Sequence, residues 1–482
     1  MKQKSVEKNA ILNAIRTILN LIGPLVTYPY VSRILGVNHI GSINYTNSII
    51  QYFILISGLG ISTYGIREGA KRRNNQIKLN LYLSECFTIN VIFTAVSYAF
   101  LIILLFTFES LEKYQILLFI QSFLIFFNTI GIEWVNTIFE DYLYITIRTI
   151  FVQIINICLT FLFVRSSQDL YQYAMLSVMT SGIISISNWI YCKKKCTIRI
   201  RKKCNCKKHL KPIMIFFANR VAVTLYVGAD TTMLGIMTND YHVGLYSVSV
   251  RIYSIIKTLL AAIYTVFIPR LSYYVGVGKY ENFKQLYSRM ISIMTLLILP
   301  SAVGLIVISR NIIFLLFGRL YLEASKSLIF LSLAIIFAIY GGLISSAYNI
   351  VCGLEKETLK ATTLAAIVNI ILNIFFISQY YEIGAAVTTM IAELIMFLFC
   401  FIKAEGMLRC IDIKEVGINL LHSILGCIVV IIVNRVVVSI IESIFFSAVV
   451  IILTSVVLYF IILCLMKNKV LLEYLISKKG KI

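Results

Sequence analysis

Acidic residues are scarce in this chain. Only 22 of its 482 residues are Asp or Glu, and charged residues of both signs make up 14%. A soluble domain carries about 25% charged residues. That poverty excludes a soluble globular enzyme and a disordered chain. Histidine is scarcer still, with 4 residues, none grouped with acids. No Walker A, G-x-S-x-G or H-E-x-x-H motif occurs, so nothing argues for an ATPase or a hydrolase. The roughly 10-residue alternating segments of a membrane barrel are also missing. No stretch between apolar runs is long enough to fold into a domain of its own.

The 11 cysteines show no paired framework. Cys86, Cys158, Cys400, Cys427 and Cys464 lie in apolar runs and are expected as small buried hydrophobes. Cys192, Cys196, Cys204, Cys206 and His209 bring zinc to mind, but their spacing fits no C-x-x-C pairing and they sit among lysines and arginines that would repel a cation.

What the chain has in abundance is apolar sequence: 59% hydrophobic residues and a mean hydropathy of +0.88, recurring from end to end. A helix needs roughly 20 residues to cross the hydrocarbon, and backbone satisfaction in lipid makes helices the default. Fourteen helices are expected, over 10–35, 40–66, 79–107, 114–139, 142–164, 169–192, 212–237, 243–269, 285–309, 325–352, 358–379, 383–403, 416–437 and 443–466. No cleavable signal peptide is expected, because the first run is too long, carries Arg16 and lacks a small-residue cleavage site.

The net charge is +22, from 44 Lys and Arg. In a membrane chain, retention of basic residues on the cytoplasmic side explains this excess without nucleic acid. The basic clusters are Lys2, Lys4 and Lys8, then Arg67 to Lys78, Lys193 to Lys211, Arg270 to Arg289 and Lys467 to Lys481. An even number of helices places all of them, and both termini, in the cytoplasm.

A repeat runs through the chain. Ile40-Gly41-Ser42-Ile43-Asn44-Tyr45 precedes a long helix ending at Arg67. Val243-Gly244-Leu245-Tyr246-Ser247-Val248 precedes one ending at Arg270, an offset of 203 residues at both ends. Both copies run in the same sense. The expected fold is therefore all-α and integral to the membrane, with two pseudo-symmetric six-helix lobes and two C-terminal helices around a central cavity. The lobes would span 1–192 and 212–405, joined by a basic linker at 193–211. Helices 13 and 14 follow at 416–466, and a tail at 467–482.

A charged side chain at mid-helix costs about 2.5–3.5 kcal/mol on insertion scales. Such residues should face protein or water. The basic candidates are Arg16, Arg148, Arg220, Arg251 and Lys257. The acidic ones are Glu133, Asp230 and Glu393, for which a structural ion pair and a coupling-ion role both stay open. Polar stripes that include Asn20, Asn47 and Gln51 on helices 1 and 2, and Ser247 and Ser254 on helix 8, fit a wet cleft between the lobes. Pro24 and Pro29 are expected to kink helix 1. Gly341-Gly342 reads as a close-packing site.

Tyr28-Pro29-Tyr30-Val31-Ser32-Arg33-Ile34-Leu35-Gly36 and Asn44-Tyr45-Thr46-Asn47-Ser48-Ile49-Ile50-Gln51-Tyr52-Phe53 resemble bacterial polysaccharide flippases of the Wzx type, which act on O-antigen or capsule repeat units. Leu59-Gly60-Ile61, Ile132-Glu133-Trp134, Ile147-Arg148, Asp230 and Leu234-Gly235 continue the likeness, which covers most of positions 1–270. It implies a transporter, not an enzyme, in the bacterial cytoplasmic membrane, and no cofactor. The implied substrate is an oligosaccharide linked through pyrophosphate to a polyprenol, with membrane lipids around it, H+ or Na+ as the coupling ion, and room for other polysaccharide assembly proteins as partners. Arg16, Arg148, Arg220, Arg251 and Lys257 would hold the pyrophosphate, and Asn20, Asn47 and Gln51 the sugars. Two rival readings are a cation-coupled multidrug exporter of the same architecture and a membrane polysaccharide polymerase or ligase.

Overall fold

The computed structural model describes residues 6–201 and 206–472. Lys2 and Lys4, Cys204 and the tail from 473 onward lie outside the described residues. The described residues are helical almost throughout, and twelve of their helical stretches are long and apolar enough to cross a membrane. Two of the twelve are 49 residues each, Ile22–Ala70 and Glu355–Lys403. At 1.5 Å per residue, each is more than twice the roughly 30 Å of hydrocarbon, and each turns back on itself once. The first turns at Gly36 (φ 78°, ψ 175°) and the second at Tyr381 (φ 50°, ψ −127°). Counting both arms, fourteen helices cross, as the hydropathy pattern predicts. The chain is a multi-pass helical membrane protein.

By its contacts the chain divides into two compact units. The first comprises Met1–Gly235 with Asn239–Gly244, and the second Ile236–Thr238 with Leu245–Ile482. The first unit contains α1 (Val6–Gly58), α2 (Ile61–Ala70), α3 (Gln76–Thr107), α4 (Gln115–Ile130), α5 (Glu133–Ile138), α6 (Tyr142–Phe163), α7 (Leu170–Lys193) and nearly all of α8 (Cys206–Met237). Most of α9 (Asp240–Thr265) belongs to the second unit. With it are α10 (Ile268–Gly276), α11 (Tyr280–Val307), α12 (Ser309–Phe317), α13 (Ala324–Gly342), α14 (Glu355–Lys403), α15 (Ile413–Ile440) and α16 (Ile444–Leu465).

The contact boundary thus falls about 24 to 34 residues beyond the end of the 193–211 linker. Side chains explain why α8 goes with the first unit. Thr232 donates to Ser48 Oγ at 2.8 Å and meets the Tyr52 hydroxyl at 3.1 Å. Tyr45 packs on Gly235. At the other end of α8, the His209 ring bonds the Tyr64 hydroxyl at 2.8 Å and Glu85 at 3.0 Å. The first residues after α7 are strapped along α3: the amides of Arg199 and Arg201 donate to the hydroxyls of Ser84 and Thr88.

Backbone angles stay helical at both Pro24 and Pro29, and the non-helical break in α1 comes at Gly36. Other expectations are corrected. The helix expected over 40–66 ends at Gly58 and restarts at Ile61, through positive φ at Leu59 and Gly60. The one expected over 114–139 breaks at Gly131-Ile132, where Ile132 takes φ 29°. Cys158 and Cys464 are exposed on their helices, while Cys86, Cys400 and Cys427 are buried. Gly342 meets the Tyr264 hydroxyl and Gly341 meets Phe397, as a close-packing site should.

The repeat glycines explain their own presence. A Cβ on Gly41 would overlap the carbonyl oxygen of Asp240, and a Cβ on Gly244 would overlap that of Val37. Adding the 203-residue offset to Val37 gives Asp240, and adding it to Gly41 gives Gly244. The contact is therefore reciprocal, as an isologous two-fold contact is, and both copies need a residue without a side chain. Gly41→Ala and Gly244→Ala should each destabilise the protein by about 1–3 kcal/mol, the usual cost of overpacking. Gly417→Ala, in a helix with nothing within 4 Å of the new atom, should be neutral or gain about 0.5–1 kcal/mol. Thermal unfolding of the detergent-solubilised variants measures all three, and equal midpoints for Gly41→Ala and Gly417→Ala would contradict the account.

Candidate functional site

Three of the intramembrane charges meet in the first unit. Glu133 opens α5, immediately after the Gly131-Ile132 corner that ends α4. One carboxylate oxygen accepts from Arg16 of α1, and the other accepts from Arg148 of α6 at 2.8 Å. Arg148 is 8% exposed. Its second terminal nitrogen donates to Asn188 Oδ1 of α7, which also accepts from Asn136 at 2.9 Å. The guanidinium lies 5.7 Å from the Tyr144 ring centroid, and Tyr144 stacks on Tyr191 with centroids 3.7 Å apart. Two cations around one carboxylate leave a surplus of one positive charge. The Nε atoms of both arginines and Nδ2 of Asn188 have no hydrogen-bond partner.

Beside Glu133 is a cavity of about 370 Å³. Its apolar walls are Ile61, Ile66, Phe127, Ile132, Trp134 and Ile184, and its polar side chains are Ser62, Asn90, Asn128, Glu133, Thr137, Ser185 and Asn188. The corner in α4 is what opens this space. Gly131 packs against Ser185, and Trp134 packs on Gly65 of α2. Neither Arg16 nor Arg148 lines it.

The second unit holds its own buried carboxylate. Glu393 of α14 is 3% exposed. It accepts from the Tyr253 hydroxyl at 2.8 Å and from Lys257 Nζ at 2.5 Å, and Lys257 also reaches the Tyr253 hydroxyl at 3.1 Å. Tyr253 and Lys257 are one turn apart on α9. Two turns further back, Tyr246 meets Thr389 at 3.0 Å. This unit also contains a groove of about 490 Å³, lined almost wholly by apolar residues of α9, α11, α15 and α16, including Leu297, Pro300, Val430, Ile452 and Phe460.

The remaining candidates sit apart from these clusters. Asp230 is buried on α8, and Arg251 is half-buried on α9. Arg220 and Asn20 are exposed, and Gln51 donates to Asn47 Oδ1 at 3.1 Å along one helix face. His209 is committed to Tyr64 and Glu85, and burial pushes the Cys196 thiol up to about 11, well away from a metal-binding thiolate. Among the described residues no group of three or more His, Cys, Asp or Glu could hold a metal ion. Asn188, Asn136, Asn128 and Tyr253 escaped the sequence reading. Asn188 was open to it as a carboxamide inside an apolar run.

A family model described as "Polysaccharide biosynthesis protein" matches residues 6–275. The chain belongs to this family. A candidate O-antigen transporter of Shigella dysenteriae is 22% identical over 398 residues, covering 82% of this chain and 98% of that protein. Its counterpart in Escherichia coli K12 is 21% identical over 427 residues, covering 84% and 99%. Among solved structures, the lipid II flippase MurJ superposes with a TM-score of 0.79 at 21% identity, covering 96% of this chain and all of that one. An inward-facing multidrug resistance transporter of the MATE family gives 0.61 at 16%, covering 82% and 94%. Both likenesses are likenesses of fold.

Glu133→Gln strips the neighbouring arginines of their counter-charge. It should destabilise by about 3 kcal/mol, the low end for breaking a buried pair, because the Glu133 side chain keeps 31% exposure. In a double-mutant cycle, Glu133→Gln with Arg148→Met should recover at least about 1 kcal/mol. Strict additivity in thermal unfolding would mean the pair carries no coupling.

Proposed function

We propose that this protein is a flippase, not an enzyme. It moves a polyprenyl-pyrophosphate-linked oligosaccharide from the cytoplasmic to the outer leaflet of a bacterial cytoplasmic membrane, by alternating access, for surface polysaccharide assembly. The observation that carries this reading is the surplus positive charge of the Arg16–Glu133–Arg148 cluster beside a sugar-sized polar cavity, in a chain of the polysaccharide biosynthesis family. Such a head group cannot cross hydrocarbon unaided, because sugars and phosphates would lose their hydration. Its tail never needs to leave lipid, and the apolar groove of the second unit suits an isoprenoid chain.

In this reading Arg16, Arg148, Arg220, Arg251 and Lys257 attract and hold the pyrophosphate, arginine by forked contacts. Asn20, Asn47 and Gln51 bond sugar hydroxyls. The basic clusters keep both termini in the cytoplasm. Outward movement of an anion from a negative interior gains about 2.3 kcal/mol per charge per 100 mV, so a doubly charged head gains roughly 4–5 kcal/mol per 100 mV. The potential alone then suffices to drive export. H+ or Na+ exchange at Glu133, Asp230 or Glu393 is the alternative coupling. The lobes would be 1–192 and 212–405, with the remaining helices at 416–466.

A cation-coupled drug exporter is the rival reading, and the MATE likeness supports its fold, at a TM-score of 0.61 against 0.79 for MurJ. The carboxylates weigh against it. Glu133 already holds two cations and Glu393 holds one, which leaves neither open to a cationic drug.

Arg220→Ala and Arg251→Ala should each lower surface polysaccharide at least ten-fold, with lipid-linked oligosaccharide accumulating and membrane protein level held within two-fold. Immunoblots of surface glycan and of the protein measure this. Normal glycan in both variants would remove these two residues from the head site, and unaltered glycan with altered drug susceptibility in a deletion strain would favour the exporter.

A further inference from the structure

The cavity of the first unit has a chemistry different from that of the charge cluster next to it. Its lining contains the Glu133 carboxylate but no Lys, Arg or His. With no cation in its lining, the cavity gives a pyrophosphate no charged donor to meet. The carboxylate is also occupied from its other side by Arg16 and Arg148, so a second cation has no vacancy to fill. The space, about 370 Å³, lies far above the size of a single ion and within the roughly 300–1,000 Å³ of small-molecule pockets. Small-molecule pockets are mostly apolar with few polar groups, whereas more than half of the side chains here are polar. A polyprenol would leave those groups unbonded at a cost.

What remains is a neutral ligand that is polar at its edges and apolar on its faces. The Asn128 carboxamide offers a donor and an acceptor, Nδ2 of Asn188 is a donor without a partner, Glu133 accepts from hydroxyls, and Trp134 supplies a flat apolar wall. Ser62 and Asn128 are exposed and form the entrance, while Asn188 is wholly buried.

We infer that this cavity is a subsite for one uncharged sugar ring of the glycan head, separate from the groups that hold its phosphates. This rests on the flippase reading and deepens it. It divides the head in two: cations outside the cavity take the pyrophosphate, and a neutral hexose or acetamido sugar enters the pocket of α1, α2, α3, α4, α5 and α7.

Trp134 and Trp189 are the 2 tryptophans of the chain, so Trp189→Phe leaves the cavity wall as the single indole. The probe is the oligosaccharide released by mild acid from the lipid-linked pool of the producing cells, free of phosphate and polyprenol. Titrated into the full-length protein in nanodiscs, it should change Trp134 emission saturably at millimolar concentration. Ser62→Phe, which fills the entrance, should abolish the change, and Asn128→Ala should weaken binding at least five-fold. Both positions are exposed, so folding is spared, and size-exclusion profiles check this. In cells Ser62→Phe should cut surface glycan at least ten-fold.

If deletion of the gene leaves surface glycan intact, the flippase reading itself fails. If deletion abolishes glycan but the probe gives no emission change, the sugar subsite is overturned while the flippase stands. An emission change that persists in Ser62→Phe, or wild-type glycan in that variant, overturns the subsite equally.

Discussion

A carboxylate placed among apolar helices must be met by a cation. Removing its partner costs several kcal/mol, and hydrocarbon offers no water to replace it. Glu133 and Glu393 obey this rule in different ways. Glu133 draws together α1, α5 and α6 through two arginines, one 6% exposed at its side chain, and Asn188 adds α7 to the same network. Glu393 joins α9 to α14 through one lysine and one tyrosine. Each unit is thus pinned near a buried acid, and the cavity beside Glu133 exists because α4 stops short to present that acid.

The duplication imposes a second constraint. Two helices of the same sequence pattern begin side by side, and Gly41 and Gly244 each accept the other copy's backbone. The contact tolerates no side chain on either partner, so both copies keep glycine. Downstream the copies diverge: the breaks before Ile61 and before Ile268 lie 207 residues apart, about one helical turn off the offset of 203.

Much of this was legible beforehand, for physical reasons. Helix number followed from hydropathy, because crossing length is set by the bilayer. The turn at Gly36 followed from the Leu-Gly that ends an apolar run. The break at Tyr381 falls between the helices expected over 358–379 and 383–403, although the positive φ of Tyr381 itself leaves no local mark in the sequence. The candidate charges were found because charge among apolar residues is conspicuous. Their pairing was not, because Arg16 and Glu133 are 117 residues apart and only the fold brings them together. The Gly131-Ile132 corner and the cavity it opens were hidden for the same reason: Ile132 is an ordinary helix residue whose positive φ is imposed by packing. The contact boundary beyond α8 was hidden because single hydroxyls, Ser48, Tyr52 and Thr232, decide where that helix belongs.

Partial neutralisation of the arginines bears on turnover. Two free guanidinium groups in a low-dielectric site would hold a pyrophosphate by forked, charge-assisted bonds, and a carrier that binds so tightly releases slowly. With Glu133 between them the site keeps one net positive charge, enough to attract an anion. On the proposed reading, the carboxylate would compete for the same terminal nitrogens and take them back as the head leaves. Passage across a membrane needs binding favourable enough for entry and weak enough for exit. An internal carboxylate standing in for the proposed substrate would meet both demands, because it would keep a counter-charge beside the arginines once the anion had gone.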